Sequence, residues 1–391
     1  MKLSVRCIAG SRINTCLAMV IVAGFAAVPA GAGAARKPPV SVMTRNVYLG
    51  ADLELGVKAT SLQALVDRAG VILAQVDKNN FPVRAKGLAS EILSRQPDLV
   101  GLQEVALWRV GPCTESPIPP KASHVRYDYL ALLLKHLNRG NRRYRVAVVE
   151  PEFDFEVPVD VDGNEKTSAP GCPLGSELNG RLTMRDVILA RVGRVTTANA
   201  AGGHFKTLLQ VKPGGIPVDV TRGWTRVDAQ VPGAPRFRFV NAHLEAFDNA
   251  TSNHTSTGLD VGNGQIRRAQ AMEMVARGGP ASAALPVILA GDFNSDKRTE
   301  VKPGDALAYE ALLHAGFVER STTRPGCCLN ASVLTVAGGG KRSDFNHKVD
   351  HIMTNAPSKI GLIESSLTGT RPMNGYWDSD HEGLFSSLTL P

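Results

Sequence analysis

The sequence has few aromatic residues: 3 Trp, 6 Tyr and 12 Phe, or 5% of 391 positions. With Trp108, Trp224 and Trp377 far apart, this argues against an aromatic hairpin that enters a membrane interface. Cysteine is also scarce, six in all, and no Cys-x-x-Cys pair or Cys/His spacing marks a zinc site. The 38 Gly and 24 Pro fall into no period, which excludes a collagen-like or mainly disordered chain. There is no internal repeat. Beyond the first 35 residues no apolar run approaches the length a spanning helix needs, so no transmembrane segment is expected in the mature chain.

The first 35 residues are different. Lys2, Arg6 and Arg12 precede an apolar run from Cys16 to Ala30, which ends in small residues through Ala35. That is the layout of a secretory signal peptide, so 1–35 is read as a leader and 36–391 as a secreted, extracellular protein. The leader holds three basic and no acidic residues, so the net charge of +8 (44 Lys and Arg against 36 Asp and Glu) becomes 41 against 36, or +5. A mild positive balance suits an anionic partner. Four cysteines remain, Cys113, Cys172, Cys327 and Cys328. An even number in an oxidising compartment predicts disulfides, with three connectivities open. Cys113 with Cys172 is favoured because both lie in one Pro/Gly-rich stretch, which leaves Cys327 and Cys328 to bond each other or stay as thiols.

Apolar runs of strand type recur at Val40–Val47, Asp98–Val105, Tyr144–Val149, Val187–Val192, Phe237–Leu244, Pro286–Ala290 and Val349–Met353. Helical periodicity lies between them at Ser61–Asp77, Val83–Arg95, Tyr129–Asn138, Gln265–Arg277 and Asp305–Ala315. Strands and helices mixed along the whole length indicate a layered protein of α and β elements in one catalytic-sized domain. Segments 107–126, 160–183 and 246–264 are rich in Pro, Gly, Ser and polar residues and are read as loop insertions.

Polar residues capable of chemistry cluster at strand ends. Asn46 ends the first strand and Glu104 the second. Asp186 precedes Val187, His243 ends Phe239-Val240-Asn241-Ala242-His243, and Asp292 with Asn294 follows Val287–Gly291. Asp350 sits in Lys348-Val349-Asp350-His351, and Asp380 with His381 in Ser379-Asp380-His381. An apolar strand that ends in a polar residue delivers that side chain to one edge of a sheet, where several such strands can assemble one site.

In kind and order these motifs resemble the endonuclease/exonuclease/phosphatase superfamily. The marks are Leu102-Gln103-Glu104, Gly291-Asp292-Phe293-Asn294 and Ser379-Asp380-His381, and the resemblance runs from Val40 to the C-terminus. It implies an α+β fold, a four-layer sandwich of two packed, mostly antiparallel sheets flanked by helices. It also implies a metal-dependent phosphodiesterase. Glu104, with Asn46 and Asp380 nearby, would hold a divalent ion, and oxygen donors suit Mg²⁺, Mn²⁺ or Ca²⁺. Asp292 and Asn294 would handle the attacking water and the phosphate. His381, oriented by Asp350, would stabilise developing charge, and Asp186 with His243 would form a second acid–histidine pair. His351 should face away from the site. His254 lies in a polar loop, and Arg267, Arg268 and Gln270 open a helix that supports the fold.

The same motifs leave the ester open. Net positive charge and Lys297, Arg298, Arg324, Lys341 and Arg342 favour a phosphodiester of nucleic acid over a phospholipid. A sphingomyelinase or phospholipase C-like enzyme is the alternative, and an inactive binding module on the same scaffold a third. A monomer is expected. The interval from Asn46 to Glu104 and the segment 107–183 are longer than compact members of the superfamily need.

Overall fold

Period-two alternation along the strands determines the layers. In the computed structural model, residues 37–113, 121–247, 254–255, 264–297, 305–329, 331–355 and 359–391 are described, apart from the side chains of 254–255. Val40 and Val42, Leu99, and Ile188 and Ala190 point to one side of the first sheet. There they meet Phe237, Phe239, Ile288, Ala290 and Ile352 of the second sheet. The alternate residues, Val100 and Leu102 with Val187 and Leu189, point outward onto helices that contribute Val76, Phe81, Leu88 and Ile92. On the far side Val240, Val287, Leu289 and Met353 pack under helices through Ala271, Met274, Ala308 and Leu312. The result is helix, sheet, sheet and helix, in four layers.

The larger sheet runs Gly361–Thr368, Gly383–Thr389, Val40–Asn46, Leu99–Gln103, Leu178–Arg191, Leu107–Gly111 and His124–Asp128, and Tyr144–Val159 also pairs with Leu178–Arg191. The second sheet runs Val318–Glu319, Asp350–Thr354, Val287–Asp292, Phe237–His243, Gly223–Gln230 and Thr196–His204. Each contains one parallel pair, Val40–Asn46 with Leu99–Gln103 and Phe237–His243 with Val287–Asp292. All other pairs in them are antiparallel. A small third sheet joins Leu209–Val211 to Val218–Val220 and to 254–255.

The helices start for local reasons. Ser61 caps Leu62–Lys78 by accepting from Ala64 N, and Asp128 caps Tyr129–Leu137 by accepting from Leu130 N and Ala131 N. The two strands around the 160–177 connection reach beyond their apolar cores, to Val159 on one side and back to Leu178 on the other. Segment 107–126 also contains the strand Leu107–Gly111 and the start of His124–Asp128, so both supposed insertions are partly sheet. Residues 114–120, 248–253 and 256–263 of the proposed insertions lie outside the described residues. Cys113 is bonded to Cys172, and Cys327 to Cys328. Lys37–Pro391 forms one compact unit, and among the described residues no helix is long and apolar enough to cross a membrane.

Candidate active site

Register brings the motif residues to one end of the sandwich. Asn46 stands opposite Gln103, His243 opposite Asp292, and Asp292 opposite Asp350. Two glycines allow this close approach. A Cβ on Gly101 would lie 2.4 Å from Asn241 Oδ1 in the facing sheet, and one on Gly291 would lie 2.0 Å from Ala242 O. Just behind the site Gln103 bridges the two sheets, donating from Nε2 to Thr44 Oγ1 (3.0 Å) and to Asn241 Oδ1. Asn241 Nδ2 returns bonds to Leu102 O and Thr225 Oγ1, both at 3.2 Å. These buried amides satisfy one another, as buried polar groups must.

Asp292 is the hub. Its Oδ2 accepts from Asn46 Nδ2 at 3.0 Å and lies 3.6 Å from His381 Nε2 and 3.7 Å from His243 Nε2. Asn46 Nδ2 also donates to Glu104 Oε1 at 3.0 Å, and Glu104 Oε2 accepts from Leu49 N at 2.8 Å. Glu104 (φ 58°), Tyr48 (φ 57°) and Asn294 (φ 47°) hold left-handed backbone that non-glycine residues seldom adopt, and all three border the same cavity. Asn294 N donates to Asp292 Oδ1 (2.9 Å), and its side-chain amide donates to Leu244 O (2.9 Å).

The two histidines sit in opposite fields. His381 Nδ1 is 2.8 Å from Asp350 Oδ2. Burial disfavours its charge, but Asp350, Asp292 and Asp380 outweigh burial and hold its pKa well above the ordinary value. Burial, the Arg222 guanidinium and His381 push His243 well below it. Arg222 Nη1 stands 3.1 Å from His243 Nδ1, and Nη2 is 3.6 Å from Glu245. Asp186 lies beside His243 and Glu152, with ligand atoms of all three within 4.8 Å of one another. Asp186 pairs with Glu152 and makes no hydrogen bond to the ring, so Arg222, and not Asp186, is the group bonded to it. Burial, with Glu152 adding to it, raises the Asp186 pKa well above the carboxylate range. Burial also takes Asp292 to about 7 and Asp380 to about 6, with His381 opposing in both cases.

Asn46, Glu104, Asp292, Asn294, Asp350, Asp380 and His381 are thus brought together, with His243 on the far side of Asp292. Glu104 and Asp380 line one cavity, and the charge of Glu104 raises the Asp380 pKa. The two neighbouring carboxylates form an oxygen donor set that fits a hard divalent cation, whereas Asn46 turns its Nδ2 toward Glu104 and accepts from Tyr48 N with Oδ1 (2.9 Å), so it would join as a ligand only with its amide turned over. Cys327 Sγ lies 3.5 Å from His381 Nε2 but is bonded to Cys328, so it presents no thiolate there.

His351 faces elsewhere, between Glu319 (2.6 Å) and Ser295 O (2.9 Å). Arg267 donates to Asn294 O, and Gln270 accepts from Glu245 N and donates to Thr207 O, so this helix braces the site loops. The sequence reading missed Gln103, Asn241, Arg222 and Glu152. Thr44, Gln103 and Asn241 carried a usable signal, being polar residues inside otherwise apolar strands. Arg222, in a turn between short strands, carried none.

No family model and no curated protein matches the sequence. Solved structures do match. An endonuclease/exonuclease/phosphatase from Beutenbergia cavernae aligns at a TM-score of 0.51 and 17% identity, over 90% of this chain and 72% of that one. A family protein from Leptotrichia buccalis gives 0.50 and 14%, over 90% and 100%. The chain therefore has the endonuclease/exonuclease/phosphatase fold, as the strand-end motifs implied.

Proposed function

We propose that the protein hydrolyses a phosphoester by attack of water with the help of a divalent metal ion. The observation that carries this reading is the convergence on Asp292 Oδ2 of Asn46 and both histidines, beside the carboxylates of Glu104 and Asp380. Glu104, Asp380 and Asn46 would hold the ion. Bound there, Mg²⁺ or a similar hard cation supplies Lewis-acid polarisation of a phosphoryl oxygen. Asp292 accepts a proton from the attacking water, and Asn294 fixes the loop that carries it. His381, held by Asp350, faces the phosphoryl oxygens as a cation. His243, kept neutral beside Arg222, lies 3.7 Å from Asp292 Oδ2 and offers its Nε2–H as a hydrogen bond to the leaving oxygen, which takes its proton from water.

The leader and the Cys113–Cys172 bond together support export to an oxidising compartment. The test is hydrolysis of a chromogenic phosphodiester with Mg²⁺, Mn²⁺ or Ca²⁺, with and without chelator. Asp292→Asn should lower kcat by about 10²–10⁴-fold with the fold intact. Calorimetric Mg²⁺ binding should be lost in Glu104→Gln. Chelator-resistant turnover, or a fully active Asp292→Asn protein, sinks the reading.

A further inference from the structure

The polar site is only one end of a larger cavity of about 440 Å³, and the rest of that cavity is apolar. One wall is the far part of Tyr144–Val159, whose alternate residues Phe153, Phe155, Val157 and Val159 all face inward. Leu65, Ala69, Ile72 and Leu73 of the Leu62–Lys78 helix line the cavity beside it, Ala69 and Leu73 packing on Val159. Leu182 and Met184 form the floor, and Val211, Val218 and Val220 of the small sheet close the side. Apart from exposed Asp52, every charged or imidazole lining residue is at the catalytic end: Glu104, Arg222, His243, Asp292, Asp380 and His381. Arg222 is the only arginine among the described lining residues, and none is a lysine. A polyanionic backbone needs a cationic track, and this lining does not offer one.

Two of the walls come from the 46–104 interval and the 107–183 segment. The Cys113–Cys172 bond ties the connection within that hairpin back to the end of Leu107–Gly111. Outside the same wall, Leu62, Leu174 and Ile216 are 47%, 41% and 40% exposed. They are neighbours there, since Leu62 abuts Gly214 of the turn leading to Ile216, and Gln63 donates to Leu174 O at 3.0 Å.

We infer that the substrate is an amphiphilic phosphoester, with its phosphate at Asp292 and His381 and a long apolar chain in this cavity. The inference rests on the hydrolase reading for the phosphate end alone; the chain-binding cavity stands on its own lining. Each methylene buried contributes about 0.8 kcal/mol, or about fourfold in affinity, until the cavity is full.

The experiment uses the full chain and alkylphosphocholines of 6 to 16 carbons as probes, below their micellar concentrations, with chelator present so that binding is read without turnover. Affinity should rise about three- to fourfold per carbon and then level off. Ala69→Phe, which fills the cavity, and Phe155→Asp, which places a charge on its wall, should each remove the chain-length dependence while hydrolysis of a methyl phosphodiester with Mg²⁺ is unchanged. Phe155 is half-buried, so the second variant covers the case in which the first does not fold. Equal hydrolysis of the same chain as monomer and in phosphatidylcholine vesicles identifies the free amphiphile as source; preference for vesicles assigns it to the bilayer, and both support the inference. Affinity independent of chain length, or unaltered by both variants, overturns it. Chain-dependent binding without hydrolysis of any phosphoester upholds the cavity and defeats the hydrolase reading instead.

Discussion

Replacing Glu319 with Gln tests what holds the strand that carries Asp350. Glu319 is half-buried, its side chain 15% exposed, with Oε2 at 2.6 Å from His351 Nδ1 and 3.7 Å from Lys348 Nζ. Lys348 Nζ also donates to Asp350 O at 2.9 Å, so this cluster grips the strand from behind. Burial alone would raise the Glu319 pKa, but Lys348 and His351 overcome it and bring the carboxyl from 4.5 down to about 2. A carboxylate depressed on folding contributes stability above its unfolded pKa and loses it as pH falls through the folded one. At about 1.4 kcal/mol per pH unit, Glu319 is worth roughly 3 kcal/mol at pH 7. At pH 3 the unfolded carboxyl is protonated while the native one is still ionised, and about 1.5 kcal/mol remains. Urea denaturation of the wild type and Glu319→Gln at pH 7, 5 and 3 should therefore give a penalty that halves over this range. An equal penalty at all three values would refute the charge argument and leave only packing and neutral hydrogen bonds.

Three further outcomes are expected. The Cys113–Cys172 bond spans 59 residues, for which loop-closure entropy gives an upper value of about 4 kcal/mol; the double serine variant should lose about 2–4 kcal/mol in denaturant, and no loss would refute it. Arg45 is 1% exposed, pairs with Glu91 at 2.8 Å and donates to His381 O. Arg45→Leu should cost about 3–5 kcal/mol and lower kcat, whereas unchanged stability would mean that Glu91 finds other partners. Gly101→Ala puts a methyl 2.4 Å from Asn241 Oδ1, so about 1–3 kcal/mol should be lost by thermal melting, and a neutral result would mean that the sheets separate easily there.

Strand ends were legible because burial on both faces produces continuous apolar runs that stop at a polar residue. Val40–Asn46, Phe237–His243 and Val287–Asp292 all read this way and all deliver site residues. Helices were legible within two residues at most ends, as Leu62–Lys78 and Tyr129–Leu137 show. Thr196–His204 was not, because Ala, Gly and Asn have low strand propensity and only pairing at a sheet edge holds them extended. The far part of Tyr144–Val159 was hidden by Pro151 and Pro158, which a strand tolerates only where it has an open edge. Its alternation, Phe153 to Val159 against Glu152, Asp154 and Glu156, was present and is what builds the cavity wall. Among site residues, those in strand-end motifs could be read. Arg222 reaches His243 from a turn whose position only the folded chain determines.

The strand Gly383–Thr389 lies inside the larger sheet, between Gly361–Thr368 and Val40–Asn46. The first and last strands of the domain are thus immediate neighbours, and Ser379 Oγ closes onto Asn46 O across 333 positions. Pairings this distant in sequence must pay their loop-closure entropy before they return any stability, which makes folding slow. Until residues past 382 are available, Val40–Asn46 keeps an unpaired edge, and intermediates with such edges are prone to aggregate. The assembled Asn46, Glu104 and Asp380 then also record that both ends of the domain have met.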